Sequence, residues 1–246
     1  MKSKMIFCLF LAMSFVVASV GQTSGQVVLW DQQPIDSLPG AIVDQQIPDQ
    51  PQLSSYVVND VNLNFQGTGV LVDSIDVYFS NINETWAGVV NQAVLNIFDG
   101  DPLTSSDDPS SGGDFGGIVD IDVTVESNHL VITASNLDLF LDDGIYWIGL
   151  SPISGTGNLQ EFHLGSIDGQ VGQETQFRNP AGGFGVGTDW RPANGLASVG
   201  FGDASITVRG DVVPEPGATA LCLVIGLGFG SSRRRKTKTF RQQPAQ

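Results

Sequence analysis

Five aspartates fall within residues 99–114: Asp99, Asp101, Asp107, Asp108 and Asp114. Carboxylates are hard oxygen donors, so their crowding in DGDPLTSSDDPSSGGDFGG (99–117) predicts a calcium site, with Gly100 and Gly112 allowing tight turns. The order is not that of an EF-hand loop, and a plain solvated acidic loop is the competing reading. Two tryptophans offer a different chemistry. Trp86 follows Asn83-Glu84-Thr85, and Trp190 lies in Gly187-Thr188-Asp189-Trp190-Arg191-Pro192. A loop indole flanked by Asp, Asn or Arg can stack on a sugar face while its neighbours bond the hydroxyls. The alternative is an indole plugging one end of the fold. Trp147, inside the apolar run 144–150, is expected in the core.

Catalytic signatures are missing. The two histidines, His129 and His163, stand outside any HExxH pattern. Gly165-Ser166-Ile167-Asp168-Gly169 lacks the G-x-S-x-G order of a nucleophile elbow, and nearness of His163 to Ser166 in sequence does not make a triad. Gly182 to Gly187 has G-x-G spacing but no strand–helix context, and it reads as a loop. Carboxylates are too numerous for any pair to suggest a glycosidase. No catalytic residue is assigned and no enzyme is expected.

Charge narrows the partners. Of the 11 Lys and Arg, only Arg178, Arg191 and Arg209 lie in residues 26–212, against 25 of the 26 acids, a net charge of −22 for that segment. Such a surface repels nucleic-acid backbones and anionic lipid. Both cysteines, Cys8 and Cys222, sit in terminal apolar stretches, so no disulfide or thiolate site is expected between them.

The elements that would position these residues read as strands. Val61, Leu63 and Phe65 alternate with Asn62 and Asn64; Ile75, Val77 and Phe79 alternate with Asp76 and Tyr78. The cleanest case sets Val119, Ile121, Val123 and Val125 against Asp120, Asp122, Thr124 and Glu126. Period two means a strand with one dry face, so Ile121, Val123 and Val125 are expected to point inward. Further runs are 93–98, 129–134, 144–150 and 204–209, with turns at Ser127-Asn128 and Asp142-Asp143-Gly144. No stretch carries a helical stripe. The fold class expected is all-β: an antiparallel, jelly-roll-like β-sandwich over 57–210 within an exported domain of residues 22–212. Residues 31–55, with four prolines, are expected to run extended along its edge.

The ends carry addresses. Residues 1–21 combine Lys2 and Lys4, an apolar run and small residues, which is a signal peptide. At the other end, Val213-Pro214-Glu215-Pro216 precedes an apolar run (217–230) and a basic cluster, Arg233, Arg234, Arg235 and Lys236, then a tail of residues 237–246. Fourteen residues span about 21 Å as a helix, short of a hydrocarbon core of about 30 Å. The basic cluster stays on the cytoplasmic side. This three-part order resembles the PEP-CTERM sorting signal of Gram-negative bacteria, with Pro214, Glu215 and Pro216 as its motif. The resemblance implies signal peptidase and an exosortase as processing partners, transient membrane insertion, then release to the cell surface or extracellular matrix beside exopolysaccharide. Leu29-Trp30-Asp31, Asn59 to Leu63, Leu95 to Pro102 and Gly144 to Ile148 also resemble the β-sandwich ectodomains of such proteins.

Overall fold

A computed structural model describes residues 26–35, 42–66, 69–80, 86–105, 107–126, 128–155, 162–166, 169–194, 196 and 202–213. The expected signal peptide, the Pro214–Pro216 motif, the apolar run 217–230 and the basic cluster lie outside them.

The described chain is all-β. Its strands are β1 (Val27–Gln32), β2 (Ile42–Val43), β3 (Tyr56–Asn62), β4 (Gly69–Ser80), β5 (Gln92–Phe98), β6 (Gly117–Val125), β7 (His129–Ala134), β8 (Leu139–Leu141), β9 (Ile145–Pro152), β10 (Phe162–His163), β11 (Gln176–Arg178), β12 (Arg191–Pro192) and β13 (Ile206–Val213). All strand pairs are antiparallel, in the order β1-β13-β4-β7-β6-β5-β9-β3-β11-β12. β6 turns the corner. Its first residues, Gly117–Asp120, pair with β5, and Ile121–Val125 pair with β7. The continuous sheet thereby folds into two facing halves, a sandwich-like arrangement that leaves few raw edges.

One apolar cluster fills the space between the halves. Val70, Val72, Ile75, Val77 and Phe79 of β4, with Leu130 and Ile132 of β7, meet Leu95 and Ile97 of β5 and Ile148 and Leu150 of β9. The inward set of β4 changes parity between Val72 and Ile75. A register shift opposite Arg209/Gly210 absorbs the extra residue, so the bulge keeps both sides of β4 in the core. β6 follows the expected alternation through Val119, Ile121 and Val123, which all contact this core. Val125 departs from it: it is 42% exposed, because the strand runs past the end of the core there.

As in residues 74–80 of β4, nearly every residue in β3, β5 and β9 is buried on both faces. Their outward side chains form a second layer of Tyr56, Val58, Val94, Phe98 and Trp147, roofed by Trp190. Pairing of β1 with β13 places Val27 opposite Gly210, so the chain enters and leaves the body side by side at one pole.

Candidate functional site

The acidic segment 99–117 is built from a repeated Asp-Pro turn. Asp101 and Asp108 each precede a single 3-10 turn, Pro102–Thr104 and Pro109–Ser111. Proline supplies the φ of the first turn residue, and the aspartate carboxylate accepts from the exposed N–H two residues on. Asp101 Oδ1 accepts from Leu103 N at 2.9 Å, and Asp108 Oδ1 from Ser110 N at 2.9 Å. Asp114 Oδ2 accepts from Asp99 N at 3.0 Å and closes the base; Asp107 Oδ2 accepts from the Ser105 hydroxyl at 2.8 Å. Gly100 and Gly112 both have positive φ, and a side chain on Gly112 would strike the Gly117 backbone. In this geometry Asp101 and Asp108 serve as turn caps, and among the described residues no three His, Cys, Asp or Glu are gathered in a metal-holding group.

The two tryptophans take the plugging role, not the sugar-stacking one. Trp86 is fully buried against Phe79 in the main core, ring centroids 5.7 Å apart. Trp190 is 5% exposed, edge-on to Phe98 at 5.5 Å, with Arg178 over its face at 5.9 Å. They belong to separate clusters, so they form no shared sugar-stacking surface. The polar, Gly-rich neighbours of Trp190 mark a loop, but its indole lies over the apolar layer of β3, β5 and β9.

Arg178 ties the two covering loops together. Its Nη1 donates to the Asp107 carbonyl at 2.6 Å and its Nε to the Thr188 carbonyl at 3.0 Å. One of the body's three cations therefore holds segment 99–117 against the loop after β11.

The histidines are occupied structurally. His163 is 1% exposed, with Nδ1 3.1 Å from Asp44 Oδ2 and Nε2 3.0 Å from the Ser205 carbonyl. A carbonyl only accepts, so Nε2 carries a proton. Asp44 also accepts from Val57 N at 3.2 Å and from the Ser151 hydroxyl. Burial raises the Asp44 pKa, against the opposing pull of His163. Ser166 is buried. His129 lies 3.2 Å from Glu126 Oε2.

A polar belt crosses the interior beside the main core. Asp203 accepts from Thr175 N at 3.3 Å, from Gln32 Nε2 at 3.2 Å and from Val171 N; Thr175 Oγ1 donates to Asn59 Oδ1 at 2.7 Å. Burial raises the pKa of Asp203 and of Asp60. Sequence reading passed over these residues, since a lone Asp or Gln between strands carries no motif.

A cleft of about 430 Å3 opens where residues 46–54, 108–110 and 180–181 meet. Tyr56, only 2% exposed, contributes to its lining together with Gln46, Ile47 and three prolines, Pro48, Pro51 and Pro180. Asp108 is the single sequence-predicted residue that borders it. Gln46 Oε1 is buried and has no hydrogen-bond partner. The walls are fixed: Ser54 Oγ accepts from Ile47 N at 2.8 Å, and Asn179 Nδ2 donates to the carbonyls of Ser54 (2.6 Å) and Gln52 (3.0 Å). Comparison with family models, curated proteins and solved structures returned no match to this chain.

Proposed function

We propose that the chain is an exported, non-catalytic surface or matrix protein, sorted by a PEP-CTERM-type tail and associated with extracellular polysaccharide. The observation that carries this reading is the tail itself: Pro214-Glu215-Pro216, a sub-spanning apolar run and a basic cluster follow β13 in that order. Proline disfavours helix in the residue before it and donates no backbone N–H, which suits a motif read by a protease. The body supports the reading in three ways. Its ends leave one pole together, so a membrane-held tail leaves the rest of the domain standing clear. Its strand order, β1-β13-β4-β7 facing β6-β5-β9-β3, matches two interlocked Greek keys, the jelly-roll arrangement used by many binding and coat proteins. Both histidines are tied into structural contacts.

Replacing Glu215 by Ala is expected to leave export intact and to block tail removal, so that the form lacking only its signal peptide accumulates in the membrane. Mass spectrometry of surface-released protein decides: recovery of wild-type molecules ending at Gln246 would overturn the sorting reading. The second reading, a carbohydrate-binding module, loses its tryptophan platform but keeps a concave site in the cleft beside Tyr56. An extracellular hydrolase finds no support in any of these side chains.

A further inference from the structure

We propose that the cleft bordered by Gln46, Tyr56 and Asp108 binds a neutral sugar unit. The proposal deepens the matrix reading, on which it rests for the source of the sugar.

The size falls within the range of about 300–1,000 Å3 typical of small-ligand sites. The apolar surface is stiff, formed by the rings of Pro48, Pro51 and Pro180, while Tyr56, 2% exposed, adds little surface of its own. The polar groups lean toward accepting. Gln46 Oε1, buried and unpaired, accepts only, and the Asp108 carboxylate, one oxygen of which already accepts from Ser110 N, offers its other oxygen as an acceptor. Tyr56 remains a neutral phenol, because burial and the charges of Asp108 and Asp44 push its pKa up. The complementary ligand is therefore rich in O–H donors. No lysine or arginine lines the cleft, and Asp108 stands in its wall, so an acidic sugar is repelled. A proline-rich peptide would bring carbonyl acceptors and few N–H donors against Gln46 and Asp108, the wrong match. The cleft is preorganised by the bonds of Ser54 and Asn179 and by the Arg178 tie to Asp107, which lowers the ordering cost of binding. Tyr56 begins β3, six residues before Asn62, so it sits about 20 Å along the strand from the end at which β3 leads toward β4.

The test is isothermal titration of the full chain in detergent. The probes are three neutral tetrasaccharides (β-1,4-glucan, β-1,3-glucan and mannan), tetragalacturonate as the acidic sugar, and a decaproline peptide. Binding of at least one neutral probe is expected. Gln46→Leu, which removes an acceptor the fold does not use, and Tyr56→Phe are each expected to weaken it about tenfold at an unchanged melting temperature. The proposal is overturned by three results: no neutral probe binding the wild type at about 10 mM, both variants binding as well as the wild type, or tighter binding of tetragalacturonate or decaproline. Tail removal, scored by mass spectrometry on the same cells, separates the two readings. A cut tail with an unresponsive cleft defeats the sugar site alone, whereas a responsive cleft with an intact tail defeats the sorting reading.

Discussion

The two halves of the sheet treat their outer faces in opposite ways. On β4, β7 and β13 the outward residues are polar and pair with one another across the strands. Thr133 donates to Asp76 at 2.7 Å, Tyr78 and Thr207 share a hydroxyl bond of 2.9 Å, Thr207 donates to Asp31 at 2.7 Å, and Arg209 pairs with Asp76. On β3, β5 and β9 the outward residues are mostly apolar and lie under two loops. Polar residues caught in that second layer fare worse. Both amide atoms of Asn96, Oδ1 of Asp60 and Oε1 of Gln176 are buried without a partner. Asn96, Gly149, Val58 and Gln176 fall in one register row, so this is a coherent strip of the covered face. The β4 face settles its polar groups within the sheet, with Asp76, Tyr78 and Thr207 buried among their own cross-strand partners; a face roofed by loops depends on the roof to complete it, and the cleft is where the roof is incomplete.

The comparison can be broken most forcefully at the roof. Trp190→Ala should cost about 3–5 kcal/mol, as for other large aromatic deletions, whereas Tyr78→Phe on the β4 half should cost about 1 kcal/mol, one hydroxyl bond. Chemical denaturation checks both; equal losses would erase the distinction between the halves. Acidity gives a second separation. Asp44, Asp60 and Asp203 have folded-state pKa values raised by burial above the unfolded 3.8. Folding then takes up protons, so this contribution to stability is complete below pH 3.8 and is lost as pH rises through the raised values. Melting temperature should climb as pH is lowered from neutral toward 3.8, and Asp44→Asn should flatten the slope. A next, smaller effect is expected from Arg178→Met, about 1.5 kcal/mol for two charge-assisted bonds at a partly exposed site, with faster amide exchange confined to residues 99–117 and the loop after β11. The smallest is Asp122→Asn on the wet face of β6, within about 0.5 kcal/mol of wild type. A larger change there would mean that the open face is under constraints its exposure does not reveal.

Legibility in the sequence follows the same division. β6 was readable because Asp120 and Asp122 face water while Val119 and Ile121 face the core. β3 was harder: Tyr56-Val57-Val58-Asn59-Asp60-Val61 shows no alternation, since loops distant in sequence bury its second face. The alternation assigned to 61–65 marks only its exit, with Val61 and Leu63 both in the core. The site was less legible for the same reason. Gly100 and Gly112 both take the positive φ of tight turns, but whether carboxylates converge on a cation or cap their own turns is a matter of direction, and spacing holds no direction. Trp190 looked exposed because its neighbours are polar, and only the three-dimensional course of the loop turns it onto Phe98. The Asp44–His163 contact joins residues 119 positions apart, beyond the reach of any local pattern.

Side-by-side placement of the chain ends has a mechanical consequence. Tension applied through residue 213 acts along β13, which is bonded on one side to β1 and on the other to β4. Ladder bonds lie across the strand direction, so a pull along β13 loads both rows in parallel instead of opening them one at a time. Detachment by force would demand that many bonds fail together, and a body hung from its last strand would resist shear from flowing water while its tail remained attached.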